Sequence, residues 1–277
     1  MMKAFLFWTT LAIAGCSITG APSAVGGRAN IAGAPSSVQE KRPAEMTADE
    51  ILLAQSRIAG LPLGERIAYW AGLFIDTPYD TDPLGLYVRT ERVIADERVD
   101  CLYLTFRAAE LAQTETPRQA VEKALSLRFL TQGKLVDGLV VNYDDRFQYG
   151  EDMVFSGKWG KNITADLGTT QKIAGSRGRD EVTVLSKQEL MTKTVQAKLR
   201  DGDIIYWVKD PKNRVVEEIV GHLSFVRVRS GQPHIIHAAG SKKQWVAGNG
   251  GKVKEYPLAA YVQNMRFIGA FVTRFEQ

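Results

Sequence analysis

The first part of the chain carries apolar residues at helical spacing, and the later part carries strand-like apolar runs. Thr47 and Glu50 have the spacing of a capping box, and the amphipathic segment after them predicts a helix that ends at Gly60. A second helical pattern, "GERIAYWAGLFI", ends before "DTPYDTDPLG", where proline and glycine predict a loop.

Two more helices are predicted before Gly133. Asp100 is a favourable N-cap, so the segment "CLYLTFRAAELA" begins with Cys101 in its first turn. Thr116 and Pro117 supply an N-cap and a first-turn proline for the helix "PRQAVEKALSLRFL". After Gly133 the helical period is lost.

Three later segments are rich in β-branched and aromatic residues and are bounded by turn residues, which is the pattern of antiparallel strands. They are "DGDIIYWVKD", "GHLSFVRVRSGQPHIIHAAG" and "MRFIGAFVTRF". Helices followed by strands predict an α+β domain, with N-terminal helices packed on an antiparallel β-sheet.

The middle segment contains all three histidines of the chain. A two-residue turn at Ser230 and Gly231 would fix the register of a hairpin. His222 and His237 would then share one face at a diagonal spacing of roughly 7–8 Å. His234 would lie opposite Arg227 on the other face. The pleat therefore selects His222 and His237 as a pair, provided that Pro233 occupies an unpaired position.

The chain opens with the basic residue Lys3 after two methionines, followed by an apolar run of about eleven residues and a small-residue end. This layout is typical of a secretory signal, and the apolar run is too short to span a bilayer. Its end, "IAGC", resembles the bacterial lipobox, in which the signal is cut before a cysteine that is then lipidated. We expect a lipoprotein signal peptide at 1–15 and a lipid anchor at Cys16. An ordinary signal peptide with an incidental cysteine is the alternative.

Residues 16–46 are rich in Gly, Ala, Ser and Pro, and we interpret them as a flexible tether. The remaining residues, 47–277, have the length of a single domain. The net charge of +4 is small, and the basic residues are scattered along the chain. Nucleic-acid binding therefore gains no support.

Cys101 is the second of two cysteines. If Cys16 carries a lipid, no other cysteine remains for a disulfide in an oxidising compartment, so the thiol is either buried and inert or kept for its reactivity. The start of a helix favours an anion and lowers the pKa of a thiol. The charge of Asp100 opposes this effect, and a nucleophile here needs a basic partner. The two histidines supply a base and a group that orients it.

At this point the motifs carry a family resemblance. "DTPY", "VDC" at a helix start, "DGDII", "GHLSFV" and "IIHAAG" follow the order seen in NlpC-type papain-like cysteine hydrolases of the bacterial cell wall. "RVDCLYLTF" and "NYDDRFQYGED" resemble more closely the N-acetylmuramoyl-L-alanine amidase-like branch of that group. The similarity runs from about residue 60 to the C-terminus and implies the papain-like NlpC-type fold.

The resemblance implies that Cys101 is the nucleophile, His222 the general base and His237 the residue that orients the base. It also implies that Tyr79 lies near the thiol, where its phenol could support an oxyanion, and that Asp100 caps the helix. The alternative for Tyr79 is simple packing beside Pro78.

Arg146 and Tyr149 match a stretch of the family that usually has a histidine between them, but this chain has Gln148 there. Both residues are expected to bind substrate, although an ion pair of Arg146 with Asp144 or Asp145 is an alternative. The block from 168 to 198 resembles the family weakly, so details of the pocket are not transferred.

The implied activity is a peptidoglycan amidase that cleaves the bond between N-acetylmuramic acid and L-alanine through a thioester. Three alternatives stay open: an endopeptidase that cleaves between D-glutamate and the diamino acid, a zinc amidase, and a lipoprotein that only binds cell wall. Neither a metal nor an organic cofactor is expected. The expected partners are peptidoglycan or muropeptides and, through the lipid, the periplasmic side of a membrane, with the outer membrane favoured.

Overall fold

The computed structural model describes residues 40–80, 92–240 and 251–276. The compact unit that contains them begins at Glu40, seven residues before the predicted domain boundary. Residues 40–46 belong to this unit because Pro43 is buried in a short 3-10 helix, Pro43–Glu45, and Lys41 pairs with Glu50. The predicted signal peptide, Cys16 and most of the predicted tether lie outside the described residues.

The four predicted helices are present, with the caps that the sequence indicates. Thr47 and Thr116 both form capping boxes, and Oδ1 of Asp100 accepts a hydrogen bond of 2.8 Å from the backbone N–H of Tyr103. The helices are α1 (Ala48–Ile58), α2 (Leu63–Leu73), α3 (Cys101–Ala112) and α4 (Pro117–Leu127).

Among the described residues, five shorter helices were not predicted, because segments of four to seven residues are too short to display a helical period. Within the described residues, no helix combines the length and the apolar character that crossing a bilayer requires. The short helices are α5 (Gly150–Ser156), α6 (Thr164–Leu167), α7 (Lys187–Leu190), α8 (Lys193–Lys198) and α9 (Leu258–Asn264).

The strands form an antiparallel sheet in the order β4-β5-β10-β6-β7-β8-β9, with β3 paired to β10, and β1 and β2 form a separate hairpin. The α+β class is therefore confirmed. The strands are β1 (Leu135–Val136), β2 (Leu139–Val140), β3 (Lys161–Asn162), β4 (Thr170–Ala174), β5 (Glu181–Ser186), β6 (Ile204–Val208), β7 (Val220–Arg229), β8 (Gln232–Gly240), β9 (Gly251–Pro257) and β10 (Gly269–Arg274).

The register of the β7–β8 hairpin is confirmed. Ser230 and Gly231 form its turn with φ angles of 49° and 76°, as a type I′ turn requires, and Arg227 pairs with His234. Pro233 is tolerated next to the turn because its nitrogen points away from β7, and β9 ends at Pro257, opposite His234.

Apolar side chains pack against both faces of the sheet. One face and helices α1–α5 form the main core, whereas the other face and helices α6–α9 form a second core. Strand β6 alternates between the two: Tyr206 lies in the main core and Trp207 in the second. The central strand is therefore buried along its whole length, which explains its continuous apolar sequence.

Candidate active site

Cys101 begins α3 directly beyond an extension of the sheet. The backbone N–H of Tyr79 donates to the carbonyl of Gly251 at the outer edge of β9, at 2.9 Å. The backbone N–H of Val99 donates in turn to the carbonyl of Pro78 at 3.0 Å. Two residues after Val99 the chain enters α3, which packs against β7 and β8. These pairings bring the motifs "DTPY" and "VDC" together and place the thiol, which is partly buried, beside the end of the hairpin.

Tyr79 lies flat against the end of β8. A Cβ atom added to Gly240 would lie 2.1 Å from Cδ1 of Tyr79, so only glycine leaves room for this ring. Burial raises the pKa of Tyr79, and the charges of Cys101 and Asp100 add to the rise. The phenol therefore stays protonated at neutral pH and can donate a hydrogen bond close to the thiol.

The two selected histidines are in direct contact. Nε2 of His222 lies 2.8 Å from Nδ1 of His237, and the rings meet edge to face. His222 is paired with Trp207 on β6 and stacks parallel to the ring of Phe267, with 6.3 Å between centroids. Because Nε2 of His222 is engaged, its Nδ1 is the ring nitrogen that remains for proton transfer.

Burial keeps both imidazoles neutral. It lowers the pKa of His222 well below the ordinary value, with smaller contributions from His237 and Arg266. Burial also lowers the pKa of His237, to about 4, and Lys254 on the neighbouring strand contributes to this. A neutral imidazole pair can accept a proton at neutral pH, as a general base must.

Tyr261, on α9, lies beside His237 and within electrostatic reach of Cys101, and it is not among the residues expected from the sequence. Its ring contacts His237 edge to face, with 5.0 Å between centroids, and packs on Trp207 at 4.9 Å. Burial raises the pKa of its phenol, and the charge of Cys101 raises it further. The one available signal was the apolar spacing of Leu258 and Val262 after Pro257, which indicates a short helix but not its contact with β8.

The two expected substrate-binding residues lie in different surroundings. The guanidinium of Arg146 lies over the ring of Tyr143 at 4.2 Å and donates to the carbonyl of that residue. Among the described residues Arg146 forms no ion pair with Asp144 or Asp145. Tyr149 precedes α5 and is covered by the guanidinium of Arg177 at 3.6 Å.

The third histidine, His234, is separate from the His222–His237 pair. His234 pairs with Arg227, and its Nδ1 lies 3.6 Å from a carboxylate oxygen of Glu255. Within residues 40–80, 92–240 and 251–276, no three His, Cys, Asp or Glu side chains are grouped as a metal ion would require.

No protein-family model and no curated protein matches the chain. Solved structures do match it. An N-acetylmuramoyl-L-alanine amidase from Bacteroides uniformis has 17% identity and a TM-score of 0.57, over 78% of this chain and 99% of the other. A Legionella pneumophila protein of family DUF1460 has 13% identity and a TM-score of 0.61, over 81% and 93%. A Bacteroides fragilis protein with a provisional xylanase name has 21% identity and a TM-score of 0.53, over 74% and 98%. These likenesses establish the fold: the chain is built like the amidase structures.

Proposed function

We propose that this chain is a peptidoglycan amidase of the NlpC-type group that cleaves the amide between N-acetylmuramic acid and L-alanine, with Cys101 as nucleophile. The observation that carries the proposal is the hydrogen-bonded pair of neutral histidines on strands that pack against the Cys101 helix. The amidase structures from Bacteroides uniformis, which share the fold, support the choice of substrate.

The proposed reaction proceeds through a thioester. Nδ1 of His222 takes the thiol proton, and the thiolate attacks the carbonyl of the lactyl group on the sugar. The imidazolium then protonates the departing amine of L-alanine, so the peptide leaves and the sugar stays bound to sulfur. Water, deprotonated by His222, hydrolyses the thioester and restores the thiol.

The other residues hold this machinery in place. His237 accepts the Nε2–H of His222 and thereby fixes the ring. The backbone N–H of Cys101 and the phenol of Tyr79 donate to the oxyanion. Arg146 and Tyr149 are proposed to contact the substrate, with Arg177 covering one face of Tyr149. The mechanism requires neither a metal nor an organic cofactor.

The sharpest test incubates a muropeptide of defined stem with the wild type and, separately, with Cys101→Ala. The products are then identified by mass spectrometry. We expect sugar without any amino acid, and an intact stem peptide, from the wild type alone. A dipeptide left on the sugar would select the endopeptidase. Loss of activity with a chelator would select a zinc amidase, and cleaved glycosidic bonds would favour a glycosidase, which needs a pair of carboxylates instead of a thiol.

A protein that only binds cell wall would give no product dependent on Cys101, while sedimentation with purified wall would be the same for both proteins. This outcome would contradict the proposed function.

The lipid anchor is part of the same proposal. Cys16 would carry the lipid after removal of residues 1–15, and residues 16–39 would tether the catalytic unit to the periplasmic side of a membrane, with the outer membrane favoured. Cys16→Ala should leave the protein in the soluble fraction after cell lysis and membrane sedimentation, whereas an unchanged membrane fraction would contradict the anchor.

A further inference from the structure

One nitrogen of the histidine pair has no obvious partner. His237 is only 6% exposed, and its Nε2 finds no hydrogen-bond partner among the residues that the structure describes. Its Nδ1 is occupied by His222. A buried polar atom without a partner is uncommon in folded proteins and calls for an explanation.

The protonation of this nitrogen decides which tautomer the pair adopts. Only one hydrogen lies between Nε2 of His222 and Nδ1 of His237. If His222 donates it, Nδ1 of His222 is bare and can act as a base, and His237 carries its own hydrogen on Nε2. If His237 donates it, the hydrogen of His222 is on Nδ1 and that nitrogen cannot accept the thiol proton.

The productive arrangement therefore needs an acceptor for a buried Nε2–H on His237. Two tyrosine rings contact His237. The ring of Tyr261 is at 5.0 Å with planes at 70°, an edge-to-face contact. The ring of Tyr256 is farther away, at 5.7 Å and 51°, and belongs to a side chain that is 37% exposed. The face of an aromatic ring accepts N–H donors weakly, at about 0.5–1 kcal/mol.

The position of Tyr261 is itself fixed. Its ring packs on Trp207, whose indole N–H donates to Oγ of Ser224 at 3.0 Å. Trp207 is the β6 partner of His222. Tyr261 and His222 are therefore both neighbours of Trp207, and a displacement of either ring would affect the same tryptophan.

We propose that Tyr261 is a positioning residue: the face of its ring accepts the Nε2–H of His237 and so selects the tautomer that leaves Nδ1 of His222 bare. The importance of this tautomer for catalysis rests on the proposed function, but the tautomer itself does not.

Histidine-selective 15N labelling of the full chain tests the inference, because the chain contains three histidines. Multiple-bond 1H–15N spectra at neutral pH distinguish the two neutral tautomers of each ring. We expect His237 and His222 both to be protonated on Nε2, with His234 as the internal reference. Protonation of His237 on Nδ1 would overturn the inference.

Three variants identify the ring responsible. Tyr261→Phe keeps the aromatic face and should keep the wild-type tautomer. Tyr261→Leu should move the tautomer ratio by about two- to fivefold toward Nδ1–H on His237. Tyr256→Leu is the matched control and should change nothing. The inference fails if Tyr256→Leu shifts the ratio, or if a folded Tyr261→Leu leaves it unchanged.

Activity on the muropeptide adds an independent readout. Tyr261→Leu should lower kcat in proportion to the fraction of the productive tautomer that is lost, so by no more than the factor of the ratio shift, with KM unchanged. Tyr261→Phe should keep the wild-type fraction of that tautomer. If no protein cleaves the substrate but the spectra match the expectation, the proposed function fails and the tautomer inference stands. If cleavage occurs with Nδ1–H on His237, only the tautomer inference fails.

Discussion

Burial of His237 links the stability of the protein to pH. The pKa of this imidazole falls from 6.5 unfolded to about 4 folded, so the unfolded chain binds a proton more readily. The contribution of neutral His237 to the free energy of unfolding is fully present above pH 6.5, and it is lost as the pH falls from 6.5 toward 4. A shift of this size corresponds to roughly 3 kcal/mol.

Urea unfolding at pH 7 and at pH 4.5 measures this effect when the wild type is compared with His237→Gln, which cannot titrate. We expect the stability advantage of the wild type to shrink by about 2–3 kcal/mol at the lower pH. The comparison removes the effect of the carboxylates, since both proteins carry them. An advantage that stays constant between the two pH values would contradict the buried, neutral state of His237.

Gly240 tests the packing of Tyr79. In Gly240→Ala the new methyl group would collide with the ring carbons of Tyr79, the nearest at 2.1 Å, and the ring must move. We expect a loss of about 1–3 kcal/mol in unfolding free energy, together with a fall in the rate of the proposed amide cleavage. Gly60→Ala is the control, because a Cβ atom there meets no atom within 4 Å. Equal stability of the two variants would show that Tyr79 is not held against β8.

Helix α3 is held in position partly by a buried ion pair with the end of α4. Nε and Nη2 of Arg128 each donate to Glu110 at 2.6 Å, and both side chains are almost fully buried. The guanidinium also lies over the ring of Tyr103, in the first turn of α3, at 5.1 Å. The helix that carries Cys101 is thereby joined to its neighbour through three side chains.

Removal of one member of this pair should be costly. Arg128→Met leaves a buried carboxylate and should lower the unfolding free energy by about 3–5 kcal/mol, whereas Glu110→Leu combined with Arg128→Met should recover most of the loss. The exposed pair Arg118–Glu122 on α4 is the matched control, and Arg118→Met should cost less than about 1 kcal/mol. Similar losses in chemical unfolding of Arg128→Met and Arg118→Met would refute the structural role of the buried pair.

The elements that could be predicted from the sequence are those with strong local signals. The helices after Thr47 and Thr116 have capping boxes, and the turn at Ser230 and Gly231 sets the register that pairs His222 with His237. The short strands and helices between 135 and 198 carry only weak local patterns and depend on tertiary packing. Tyr261 reaches His237 through packing of α9 on β8, which local sequence does not encode.

At the scale of the whole molecule, the folded unit includes residues that look like tether in the sequence. Arg42 donates to the carbonyl of Asp76, Glu40 pairs with Arg57, and Pro43 is buried. The charged pairs are exposed and contribute little, so burial of Pro43 and the bond to the Asp76 carbonyl carry most of the effect.

A chain that begins at Glu40 should therefore be more stable than one that begins at Thr47. We expect a difference of about 1–2 kcal/mol, which thermal unfolding of the two proteins measures. Pro43→Ser in the longer chain is the control for burial and should account for part of the loss. Equal melting temperatures would place the start of the folded unit at Thr47.

In the proposed reaction, Cys101 carries the sugar as a thioester during cleavage of the amide next to L-alanine. The most direct measurement mixes the enzyme with a muropeptide of defined stem, stops the reaction with acid within milliseconds, and determines the mass of the Cys101 peptide. We expect a mass increase equal to the muramoyl group without any amino acid. An adduct that contains L-alanine and D-glutamate, or an adduct on another residue, would contradict it.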